Sequence, residues 1–205
     1  MKEGLRTELE GSLERLRKRQ AEIATRDFFQ ATGQLRLGKA IAALEASLSP
    51  SPKVSPGTLA PGDYLGRTWV TRSGIHVDRM ACAWLIRRFI DPKAKLKFVA
   101  AKGHHPAAGE LHFDMFEGEF THQGDLCSFE VFLQRFGLED SGLRWLAEIV
   151  HDIDVKDGKF GRDEVAGVAQ MVVAIASAHP TDDARLQRAS ALFDDLYQLF
   201  KRARV

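Results

Sequence analysis

His76 and Asp78 stand two residues apart where an apparent strand, residues 67–72, gives way to an amphipathic helix over residues 78–90. A side chain held at a strand-to-helix junction sits on rigid backbone beside free amide donors, a setting suited to metal or anion binding. His76 reads as a metal or substrate ligand, with Arg72 and Arg79 as a cationic rim whose planar forks suit oxyanions. The plainer reading is that Asp78 caps the helix and His76 fills a turn.

Three more polar islands interrupt apolar surroundings: His112 with Asp114, HQGDLCSFE from His122 to Glu130, and HDIDVKD from His151 to Asp157. His151 and Asp154 are three apart on a predicted helix, within reach of a common point. Glu148, three before His151, completes a Glu-x-x-His pattern of the kind found in carboxylate-bridged metal sites of helical bundles, although those need two copies. A solvated helix end is the alternative. His122 lies in a glycine-containing loop and Glu130 in the first turn of the next helix. Imidazole and carboxylate suit zinc, iron or manganese, while Glu130 could equally serve the helix dipole. For His112 and Asp114, on one strand face, a surface-facing pair is an equal explanation. Cys82 reads as a buried small residue and Cys127 as the more reactive thiol, neither ranking as a nucleophile.

These islands predict one site assembled from distant segments. His76, His122, His151 and Asp154 would ligate a divalent transition metal (iron, manganese or zinc), with Asp78, Glu130 and Glu148 as additional ligands or their partners. An open coordination position would make the protein a metal-dependent enzyme acting on an oxyanion or a reactive oxygen species.

The elements that must position such a site follow from periodicity. With 205 residues and 44% hydrophobic content, the chain can bury one good core. Leu9, Leu13 and Leu16, then Leu37, Ile41, Leu44 and Leu48, recur at helical spacing and predict a helical hairpin arm over residues 1–48. Pro50, Pro52, Pro56 and Pro61 mark residues 49–65 as a linker, and the main domain occupies residues 66–205. Within it, short strands are expected at 67–72, 97–100 and 111–115, followed by mostly helical segments. The apolar run 165–178, with Asp163 as its cap, predicts a central buried helix, and Thr181 caps the last helix. The expected fold class is α+β, predominantly helical, with a small sheet packed among several helices.

Function classes fall away on composition. Twenty-nine basic against 28 acidic residues leave a formal charge of +1, so no global field recruits nucleic acid or an anionic membrane. Two cysteines make no disulfide framework, and the charged N-terminus carries no secretory signal, so a cytoplasmic protein is expected. The most apolar run is shorter than the ~20 residues a membrane span needs. There is no phosphate-binding glycine loop, dinucleotide signature, nucleophile elbow or His-Glu-x-x-His motif.

TWVTRSGIHVDRMACAWLIRRFIDP, the FDM of residues 113–115, the His122 to Glu130 block and VHDIDVKD, in this order, closely resemble chromate resistance proteins of the ChrB type, in particular their C-terminal domain. The similarity covers residues 67–205. The resemblance implies a place beside chromate efflux systems, with a small anion such as chromate as the partner. Some members are described as chromate-responsive regulators of the efflux operon, a role ascribed to a larger N-terminal region. The short segment before Arg67 and the absence of a helix-turn-helix signature count against DNA binding here. A third reading is an interaction module, a homo-oligomer joined through Leu5, Leu9, Leu13 and Leu16.

Overall fold

The computed structural model describes Ser12, Arg15, Leu16, Arg19 and residues 59–100, 104, 107–115 and 118–202. The chain divides into two units, Met1–Lys53 and Val54–Val205. In the first, the four described residues are helical, and Arg15 donates to Ser12 Oγ at 3.1 Å. The rest of the predicted hairpin and oligomer seam lies outside the described residues, as does the linker up to residue 58.

The second unit is built on three parallel strands, β1 (Thr68–Arg72), β2 (Lys95–Val99) and β3 (Glu110–His112), in the order β2-β1-β3. Five helices accompany them: α1 (Val77–Leu85), α2 (Ser128–Phe136), α3 (Ser141–Asp154), α4 (Val165–Ala178) and α5 (Asp182–Arg202). A small sheet among helices is what the sequence predicts. β1 is central and buries Trp69, Val70 and Thr71 on both faces, as a strand covered from two sides must.

α1 buries every residue except Arg79 and packs against α2, α3 and α5. The run Ala81-Cys82-Ala83 lets these neighbours approach closely. Its last turn widens into a π-helical segment, Ile86–Ile90, ended by Asp91-Pro92. The fully buried Asp91 carboxylate accepts from Gly66 N (2.9 Å), Arg67 N (3.0 Å), Lys93 N (3.0 Å) and Trp69 Nε1 (3.3 Å), tying the helix end to the entrance of β1. Behind the sheet, Phe120, Phe132 and Phe136 stack, and Tyr64 meets Phe120 and Phe136 edge-on. Residues 59–64, expected in the linker, therefore join this core: Leu59 N donates to Arg135 O at 3.1 Å, and Pro61–Tyr64 form a 3₁₀ turn.

α4 departs from expectation. Only Val168, Val172 and Ile175 are buried, while Met171 and Val173 are 51% and 52% exposed. α3 and α5 cover a single side of it, and apolar content alone does not say how many sides a helix has covered. Glu164, not Asp163, is its N-cap and makes no side-chain bond there. Thr181 does cap α5, its Oγ1 accepting from Ala184 N at 3.3 Å. Among the described residues no helix is long and apolar enough to cross a membrane.

Asp140 caps α3 through Gly142 N (2.9 Å) and Leu143 N (3.2 Å) and also accepts from Tyr197 Oη (3.1 Å) on α5. Partial burial works to raise its pKa, but the Leu143 amide, the Tyr197 hydroxyl and Lys201 outweigh it and hold the carboxyl below its usual value. A depressed carboxylate contributes stability above its unfolded pKa of about 3.9 and loses it as pH falls through the folded value. Asp140→Ala should therefore cost about 1–2 kcal/mol in urea unfolding at pH 7, and the gap from wild type should narrow below about pH 4.

Candidate metal centre

The chain passes from β1 to β2 on one side and returns to β3 on the other, which opens a crevice at the carboxyl ends of β1 and β3. That is where open parallel sheets hold ligands. Arg72 ends β1, His76 and Asp78 open α1, and Asp114 follows β3. The turn between β1 and α1 is fastened from α5, where Asp182 accepts from Gly74 N (2.8 Å) and Ile75 N (2.9 Å).

Asp78 does not cap its own helix. Only 2% exposed, it accepts from Ser128 N and Phe129 N, both at 3.0 Å, and so caps α2 from fifty residues away. Cys82 Sγ lies 3.6 Å from its Oδ1. Two amides at a helix N-terminus stabilise a carboxylate that burial alone would penalise. Asp114 sits at φ 44°, in the left-handed region that aspartate enters more readily than most residues. Its amide donates to Phe120 O at 2.8 Å. Its carboxylate takes Ser128 Oγ at 3.1 Å and pairs with Arg79 Nε at 3.2 Å. Burial and the nearby Asp78 charge raise the Asp114 pKa.

His122 brings the carboxylates together. Its loop is anchored by the Phe113–Phe120 bridge and by the Gln123–Leu126 turn. Its Nε2 lies 3.3 Å from Asp78 Oδ2, 3.6 Å from Asp114 Oδ1 and 3.2 Å from Asp154 Oδ2. Burial works to lower the pKa of this imidazole, but bonds to Asp154 and Asp78 outweigh it and raise the value to about 10. His76 is exposed at the N-cap of α1 and makes no capping bond. The surrounding protein mass and then Arg79 press its pKa down, while Asp154 pulls the other way.

The two arginines differ. Arg79 is held by Asp114 and donates through Nη1 to Arg72 O (3.1 Å) and Ser73 O (3.3 Å). Arg72 approaches Asp114 only to 3.9 Å, and its Nε is buried without a partner among the described residues. Arg79 therefore positions Asp114, while Arg72, its side chain 42% exposed, touches that carboxylate only at its edge.

His151 stands in a second cluster rather than beside His122. Fully buried, it places Nδ1 2.6 Å from Glu130 Oε2 and Nε2 3.3 Å from Asp157 Oδ2. Glu130, in the first turn of α2, also accepts from Cys127 N at 2.9 Å. Burial opposes charging His151, but Glu130 and then Asp157 raise its pKa. With both ring nitrogens engaged on the core side of α3, His151 cannot share a point with Asp154, which turns outward to His122. Glu148 does not join it either: it pairs with Arg162, whose guanidinium lies 3.8 Å over the Trp145 ring. A cavity of about 610 Å³ borders this second cluster, lined in part by Glu130, Glu148 and Phe160. Cys127 is buried and its thiol is pushed far up by burial and by Asp78, so it is no reactive thiol. Burial likewise raises Cys82.

The sequence reading undervalued Asp114. The signal was its position directly after a strand, equivalent to that of Asp78 after β1, with a serine at the start of α2 to receive it.

A small three-stranded parallel sheet packed among helices defines an α+β domain, with a group of carboxylates at its switch point. The model of the ChrB C-terminal domain matches residues 69–200, and the chain belongs to the ChrB family of chromate resistance proteins. It is 39% identical over 187 residues to Protein ChrB of Cupriavidus metallidurans, a match covering 87% of this chain and 57% of that protein. The chain thus spans little more than half the length of the curated relative it matches. No solved structure matches.

Burial separates Asp78 from Asp154 in what each contributes to stability. Asp78→Asn should cost about 3 kcal/mol or more, because it breaks a buried charge-assisted cap. Asp154→Asn, at a side chain 31% exposed, should cost about 1 kcal/mol or less. Urea unfolding of the two variants measures both.

Proposed function

We propose that this chain is the metal-binding domain of a ChrB-type chromate resistance protein, with Asp78, Asp114, His122 and Asp154 holding a divalent transition metal. The observation that carries this reading is the meeting of three carboxylate oxygens at one imidazole nitrogen, all within 3.6 Å. The donor chemistry fits such a group. Both arginines approach Asp114 through its Oδ2, which leaves the three oxygens facing His122 for a cation. Three hard oxygens with one imidazole suit manganese, iron or zinc better than a metal that prefers sulfur. Binding requires His122 to give up its proton, so affinity rises with pH.

The rim supports an oxyanion partner. Arg72 ends β1 with a side chain 42% exposed that meets Asp114 only at 3.9 Å, and His76, exposed at the N-cap of α1, is the added ligand or hydrogen-bond donor of this reading. Arg72 would hold and orient an anion such as chromate, while Arg79 keeps Asp114 in place. A bound metal would supply Lewis acidity at an oxygen of the anion, which is how the domain would act as an enzyme. The regulator and oligomer readings run through Met1–Lys53, of which four residues are described, and the site geometry favours neither.

Protein purified without chelators or affinity tag should contain, or take up, iron, manganese or zinc at a site that depends on His122. His122→Gln and Asp154→Asn should each weaken that binding by about 100-fold or more. Arg72→Gln should leave metal content unchanged and weaken chromate binding about tenfold, the worth of one charge-assisted hydrogen bond. Elemental analysis and titration calorimetry check these outcomes. A protein that takes up none of the three metals, or variants that bind like wild type, would refute the reading.

A further inference from the structure

A second group of metal-binding side chains lies on the outer face of the sheet and shares no residue with the centre above. Glu110 and His112 are two apart on β3 and so project to one face. In the parallel register they stand beside Thr68 and Val70 of β1, and Lys97 of β2 pairs with Val70 from the other side. His104, from the connection between β2 and β3, lies over this face, its ring centroid 5.3 Å from that of His112. Glu110 Oε2 is 3.1 Å from His104 Nε2 and also accepts from Ala107 N at 3.1 Å, while its Oε1 is held by Lys97 Nζ at 2.7 Å. One ligand atom from each of His104, Glu110 and His112 lies within 4.8 Å of the others.

The independent observation is His112. The residue is partly buried and its side chain buried, and its Nε2 has no hydrogen-bond partner among the described residues. An interior imidazole nitrogen normally finds one. An imidazole left with an unpartnered nitrogen beside a histidine and a carboxylate already in contact would be satisfied by a cation held by all three.

We propose that His104, Glu110 and His112 form a second metal site, separate from the one around His122. Two imidazoles and one carboxylate make a more nitrogen-rich set than that centre offers, and this set takes zinc-class borderline divalent ions at about 2.0–2.2 Å. Lys97 holds the outer Glu110 oxygen and turns the inner one to the ion, the part usually played by a group behind a ligating carboxylate. Binding moves the His104 hydrogen from Nε2, where it meets Glu110, to Nδ1: one N–H bond breaks as another forms on the same ring, Nε2 is left free to ligate, and no electron is transferred.

The test uses the full chain stripped of metal and titrated with zinc ions. Bound zinc is counted after gel filtration, and histidine modification by diethyl pyrocarbonate is read by mass spectrometry. Zinc should protect His104 in the wild type. His104→Gln and His112→Gln should each weaken one zinc equivalent by about 100-fold, in the wild type and in a His122→Gln background alike. His104 lies outside the strands, so its variant and the wild-type protection report on binding without disturbing β3. Zinc that fails to protect His104, or that binds the His104→Gln variant as it binds wild type, overturns the proposal. Protection of His104 in a protein whose His122-dependent binding has failed would sustain it while removing the other reading.

Discussion

The buried carboxylate of Asp78 is the interaction on which the rest of the second unit turns. It stands in the first turn of α1, satisfies the first two amides of α2 and lies against the imidazole of His122. Because α1 is buried nearly all round, its position is set by the core, and the core thereby places one oxygen of Asp78 at the mouth of the crevice. The same group orients α2, whose first turn brings Ser128 to Asp114 and Glu130 to His151. One helix N-terminus thus organises two polar clusters, with the crevice group on one side and the buried His151 pair on the other.

The charge arrangement explains the division of labour between these clusters. His151 is itself fully buried between Glu130 and the more exposed Asp157, each ring nitrogen taken by one carboxylate. His122 faces three carboxylates through a single nitrogen, with more than a third of its side chain exposed. Carboxylates in excess over imidazole repel one another unless a proton or another cation sits among them, which is what the proposed metal would supply. The arginines differ in the same way: Arg79 is built into the frame through Asp114 and two backbone carbonyls, and Arg72, more exposed, meets Asp114 only at 3.9 Å.

Much of this was legible in the sequence because it was local. The strand, the junction at His76–Asp78 and the amphipathic stripes of α1, α2, α3 and α5 all follow from spacing and turn residues. The site was only partly legible, because its partners are set by which face of a helix meets which neighbour. His151 and Asp154 are three apart and could have shared a ligand. Packing turned one to the core, where Glu130 at the start of α2 captured it, and left the other to His122. Asp114 was hidden for a related reason: its left-handed backbone redirects the side chain away from the strand face it was expected to share with His112. The exposure of α4 was hidden too, since composition records that a helix is apolar and not what lies against it.

Anomalous X-ray scattering from crystals grown with manganese, iron or zinc tests the central claim most directly. The account predicts a peak at the carboxyl ends of β1 and β3, about 2.0–2.2 Å from His122 Nε2 and from oxygens of Asp78, Asp114 and Asp154. A map with no density there, in which His122 remains ion-paired to the same three carboxylates at saturating metal, would contradict it.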